Sequence, residues 1–73
     1  MPKYPESQAL FTRLLTEAGF RNDDGTYDRK RFCEVVGISP RSCKAYIDGD
    51  RNISTNKLIK LADKTNLTTF NIL

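Results

Sequence analysis

Apolar residues recur along this chain at helical spacing, in groups separated by polar turns. Between Glu6 and Ala18 the apolar positions are Leu10, Phe11, Leu14, Leu15 and Ala18. That i, i+1, i+4, i+5, i+8 pattern predicts a first helix, stopped by Gly19. Asp28 is placed to cap a second helix, Arg29 to Val36, with apolar positions Phe32, Cys33, Val35 and Val36. Gly37 ends it, and Ile38 is expected as a buried pivot. Ser39 caps a third helix and Pro40 suits its first position, where a missing N–H costs nothing. Cys43, Tyr46 and Ile47 make one apolar face of that helix, and Gly49 is the residue type best able to take the left-handed turn that stops it. Ser54 caps a fourth helix, Thr55 to Thr65, with Leu58, Ile59, Leu61 and Ala62 as its expected buried stripe and Asn66 as its end. Thr68 can cap a last turn that holds Phe70, Ile72 and Leu73.

The segments between these helices are short and polar. Met1 to Pro5 carries two prolines and no periodicity, so residues 1–5 are expected to form a loose arm. Phe20 to Tyr27 reads FRNDDGTY, with a turn signal at Asp24-Gly25 and aromatic residues placed to pin its ends to the core; a short hairpin there is only weakly indicated. The fold class predicted is all-α: a compact bundle of four to five helices, in a single domain over residues 1–73.

Composition narrows the chemistry. The chain of 73 residues has two cysteines and no histidine. Cys33 and Cys43 form no CxxC pair, and the carboxylates of the 20–27 turn lack the spacing of a calcium loop, so no metal or other cofactor is expected. Without histidine, a glycine-rich phosphate loop or paired carboxylates in a plausible cleft, an enzyme is not expected, nor a small-molecule ligand. No apolar run reaches the length of a membrane span and no leader is visible, so a cytoplasmic protein with reduced, buried thiols is expected.

Charge changes the picture most. Residues 1–28 carry three Lys or Arg against five Asp or Glu, a net of −2, whereas residues 29–73 carry nine against four, a net of +5. Arg29, Lys30 and Arg31 crowd the first turn of the second helix, beside the positive end of its dipole. A local rule broken three times in a row points to an outside anion, and phosphates fit. On the third helix Arg41 and Lys44 lie one turn apart on the polar face, with Ser42 and Ala45 beside them. An arginine there can grip guanine O6 and N7 with two hydrogen bonds. A short presented helix in a basic half-chain is the footprint of a nucleic-acid binder.

From Tyr27 to Leu73 the chain resembles the phage-repressor (Cro-type, xenobiotic-response-element) helix-turn-helix family. The likeness is carried by Phe32-Cys33 through Gly37-Ile38-Ser39, by Gly49, by Arg51-Asn52 and Ser54, and by Leu58 to Ala62. The run Ser-Pro-Arg-Ser-x-Lys-x-Tyr-Ile-x-Gly-x-Arg-x-Ile is similar to a subgroup of small phage and mobile-element regulators, some of them anti-CRISPR-associated autorepressors. Departures exist: the 20–27 stretch lengthens the usual connection, Ile47 stands where Glu is usual, Ile53 replaces a usual Pro, and Cys43 fills a slot usually held by Ile or Val. The resemblance implies a lambda-repressor-like bundle whose Pro40, Arg41, Ser42, Lys44 and Ala45 face the major groove. It implies phosphate contacts from the start of the second helix, at Arg29, and from the loop after the third, at Arg51 and Asn52. Lys30, beside Arg29, and Ser39, the cap of the third helix, complete the expected phosphate set.

The function expected is a sequence-specific, dimeric repressor in bacterial cytoplasm or nucleoid, bound to a palindromic operator in double-stranded DNA. The alternative is a protein-interaction module on the same fold, such as an antitoxin or a phage partner-binding protein. The expected homodimer interface is C-terminal. Phe70 and Leu73 share a helical face while Ile72 splays from Leu73, so one face can cover the core and another a second copy.

Overall fold

A computed structural model of the protein describes residues 2–66. The four described helices are α1 (Pro5–Glu17), α2 (Arg29–Val36), α3 (Pro40–Asp48) and α4 (Thr55–Lys64), and the described residues form no β-strand. The fold is all-α, as the spacing predicts. Helix α3 packs against both α1 and α2, and α4 packs against α2. The expected last turn with Phe70, Ile72 and Leu73 lies outside the described residues.

Local caps set the boundaries. The side chains of Asp28, Ser39 and Ser54 accept the N–H of Arg31, Ser42 and Lys57, each three residues on. Asn66, just past α4, takes a left-handed turn at φ 60°. The C-terminus of α2 has a non-local cap as well: the Lys64 ammonium donates to the Val36 carbonyl at 3.1 Å, a cation at the negative end of a helix.

The core is built around aromatic rings from three elements and the connection between them. Phe11 of α1 meets Phe32 of α2 edge-on at 5.6 Å and Tyr46 of α3 at 5.2 Å, and Phe20 closes on Phe32 at 5.2 Å. Leu14, Leu15, Val36, Cys43, Leu58, Leu61 and Ala62 fill the space around them. The 20–27 connection is a closed turn with a minimal antiparallel pairing: the Asn22 N–H donates to the Thr26 carbonyl and the Asp28 N–H to the Phe20 carbonyl, both at 2.7 Å. One isolated antiparallel bridge pairs Arg21 with Tyr27, and Asp24 Oδ1 accepts from both the backbone N–H and the hydroxyl of Thr26. Those two bonds hold the Asp24 carboxyl below its ordinary range.

Three expectations are corrected. Ile59 is 45% exposed rather than part of the buried stripe, and Val35, an apolar position of α2, is 47% exposed. Each is one residue, about 100° of helix, away from a core position, Leu58 or Val36, and its own identity does not turn it inward. Ile38 is only half-buried against the core. The N-terminal segment is docked, not loose. The Tyr4 N–H donates to the Gly49 carbonyl at 2.9 Å, and Gln8 Nε2 donates to the Ile47 carbonyl at 3.0 Å. Pro5 opens α1, because proline has no N–H to satisfy there. At Gly49 the φ is +76°, and a Cβ would run into Pro2 and Gln8. Glycine is thus needed twice over, for the turn and for the close approach of the arm.

Ser7 carries the other link between α1 and the chain after α3. It is 5% exposed, and its Oγ accepts the buried Ile53 N–H at 2.9 Å. A proline at position 53 could not make that bond.

Candidate nucleic-acid interface

The turn at residues 37–39 joins the end of α2 to the start of α3, and first-turn residues of α2 line a groove together with residues of α3. Because each helix begins at a local cap, Arg29 and Lys30 come from the first turn of α2, and Pro40, Arg41 and Lys44 from the start and middle of α3. These five residues line one open concavity of about 360 Å³. All five side chains are exposed, four are cationic, and among the described residues no carboxylate lines the groove. The arrangement suits a linear polyanion with a surface to be read, since Arg41 can donate a planar pair of hydrogen bonds while its neighbours hold charge. Lys44 shares its ammonium with Asp48, one turn along α3, in an exposed ion pair.

The remaining expected positions are placed elsewhere. Ser42 and Ala45, three residues apart, share the next strip of α3 and are half-buried. Ser39 spends its hydroxyl on the helix start: its Oγ accepts the Ser42 N–H at 3.2 Å and donates to Ser42 Oγ at 3.0 Å. Arg51 leans back on α3, donating from Nη1 to Ser42 Oγ at 3.1 Å, with its guanidinium 5.9 Å from the Tyr46 ring centroid. Asn52 lines a separate concavity of about 270 Å³ with Lys3, Tyr4, Pro5, Glu6 and Ser7.

Arg31 departs from its neighbours. Its guanidinium stacks 4.7 Å from the Phe20 ring centroid and reaches Asp28 and the Gly19 carbonyl. Two of the three cations at the start of α2 therefore serve the groove, and the third holds the 20–27 connection. Lys57 is a residue the sequence pattern did not single out. Its ammonium sits 5.9 Å from the Tyr46 ring centroid, so it joins Arg51 beside α3. Its place in the first turn of α4 carries no local signal of that tertiary neighbour.

Comparison with family models, curated proteins and solved structures finds no match to this chain.

Both cysteines are free thiols in the core. Burial, with the neighbouring Cys33 thiol as a second cause, pushes Cys43 up to about 12. A thiol so far above neutral pH is neither a nucleophile nor a ready metal ligand. Among the described residues, no helix is long and apolar enough to cross a membrane.

Proposed function

We propose that this protein is a sequence-specific DNA-binding regulator that lays α3 in the major groove and acts as a dimeric repressor. The observation that carries the proposal is the convergence of Arg29, Lys30, Arg41 and Lys44 on one open groove that, among the described residues, has no carboxylate in its lining. Helix α3 is about 13 Å long, enough to follow about four base pairs. Arg41 and Lys44 donate to base edges, with Pro40 as an apolar neighbour that suits a thymine methyl. Arg29 and Lys30 hold phosphates and fix the register. So short a reading surface reaches operator specificity by doubling, with two copies on half-sites about 34–36 Å apart. The domain, with extents of 30 × 27 × 22 Å, is of a size to sit side by side at that spacing.

The alternative, a protein-docking module, would draw on apolar surface. Val35 and Ile59 are exposed, but single exposed apolar residues are ordinary on soluble surfaces. The test is selection of bound duplexes from a random-sequence pool, with stoichiometry measured on the winners. The proposal expects a two-fold related motif bound by two chains. Recovery of no motif, with weak binding equal for all duplexes, overturns it.

A further inference from the structure

Asp48 stands where local rules disfavour it. It is the last residue of α3, so its carboxylate meets the negative end of the helix dipole. It also shares a face with Arg41 and Lys44, because steps of three and four residues return to the same side of a helix. An acid on that stripe repels the polyanion the stripe is to meet. Asp48 Oδ2 accepts from the Lys44 ammonium, and a lysine four residues before its acid is the weaker order for such a pair. Both side chains are exposed, so the pair contributes little to folding. Its consequence lies with Lys44, which lines the cationic groove. The direction of the bond is fixed, since an ammonium only donates and a carboxylate only accepts.

We infer that Asp48 is a positioning residue for Lys44 that biases its ammonium toward base acceptors and against phosphate; this rests on the DNA-binding reading above. Non-specific complexes are held by cations on phosphates, and a lysine on its flexible stem can reach one in any register. An ammonium has three protons, so Lys44 can keep one on Asp48 and give another to a base. Guanine N7 and O6, adenine N7 and thymine O4 carry no net charge, and a nearby carboxylate repels them far less than it repels a phosphate. To hold a phosphate, Lys44 must leave Asp48 or bring two anions together. Asp48 thus weakens binding to every sequence through its phosphates and spares the base contact. The gap between the selected site and other DNA widens.

The experiment measures affinity for the selected duplex and for a scrambled duplex of the same length, across salt concentration. It uses the full chain as wild type, Asp48→Asn, Lys44→Gln, the Asp48→Asn/Lys44→Gln double variant, and Asp50→Asn. Asp50 is exposed just past α3 and belongs to none of the ion pairs among the described residues, so it controls for loss of one negative charge. Asp48→Asn should tighten the scrambled duplex by on the order of fivefold at 0.1 M salt and steepen its log–log salt slope by about 0.9, as one more cation engages a phosphate. The selected duplex should gain about twofold or less, so the ratio between the two falls. In the Lys44→Gln background, Asp48→Asn should have no more effect than Asp50→Asn has in the wild type. The inference is overturned if Asp48→Asn tightens both duplexes alike, if it does no more than Asp50→Asn, or if its effect persists without Lys44; each would reduce Asp48 to bulk charge. It is equally overturned if Asp48→Asn weakens the selected duplex alone, which would make the carboxylate itself a base contact. A wild type that selects no motif at all is the separate failure of the DNA-binding reading, and the inference falls with it.

Discussion

Replacing Ser7 by alanine tests how the chain after α3 is held. The substitution removes one oxygen from a site 5% exposed and leaves the buried Ile53 N–H without its acceptor. An orphaned buried donor costs about 1–3 kcal/mol. The second contact of Ser7, its hydroxyl to the Arg51 carbonyl, is 3.5 Å long and adds little. For a domain of this size each kcal/mol moves the thermal midpoint by about 4–8 °C, so a loss of 2 kcal/mol lowers it by about 8–16 °C. Thr16→Ala is the matched control. It deletes a hydroxyl that donates to the Thr12 carbonyl on an exposed face of α1, and the expected change is within about 0.5 kcal/mol. Thermal melts followed by far-ultraviolet circular dichroism, with urea titrations at fixed temperature, give both numbers. A Ser7→Ala midpoint as close to wild type as that of Thr16→Ala would refute the reasoning, because Ile53 would then have found another acceptor at no cost.

The other predictions concern the groove and the buried thiol. Arg41→Ala should weaken binding to the selected site by about 1–3 kcal/mol and relax preference at one base per half-site, read by titration against single-base variants. Arg29→Ala and Lys30→Ala should weaken all sequences alike, each flattening the log–log salt slope by about 0.9, as seen in binding isotherms across salt concentration. Cys43 has a folded-state value of about 12 against an ordinary 9.0, raised by burial, so its contribution to stability is complete below about pH 9 and is lost as pH rises toward 12. Urea midpoints measured between neutral pH and pH 11 should fall at the alkaline end, and Cys43→Val should reduce that fall.

Features set by bonds of three or four residues' reach were legible in the sequence, and features set by distant parts of the chain were not. Asp28, Ser39 and Ser54 cap helices through neighbours three residues away, so composition and spacing reveal them. Arg29, Lys30, Arg41 and Lys44 were legible as candidates from their places on two capped helices, but that they line one groove is a tertiary fact. Ser7 and Ile53 are 46 residues apart, and no local pattern announces their bond. The docking of Tyr4 on Gly49 and the approach of Arg51 to Ser42 are likewise tertiary. Ile59 misled because it is hydrophobic yet lies one step off the buried stripe. Arg31 misled because a run of three cations looks uniform, although one of them has an aromatic face and a carboxylate within reach of its own connection.

The groove at the start of α2 and α3 is the centre of the account, and mapping backbone amide shifts while titrating the protein with its selected duplex addresses it most directly. The account predicts the largest changes at Arg29, Lys30, Arg41, Ser42 and Lys44, with little change at Val35, Ile59 or the Asp23–Gly25 turn. Changes centred on Val35 and Ile59, or an undisturbed spectrum at saturating DNA, would contradict it.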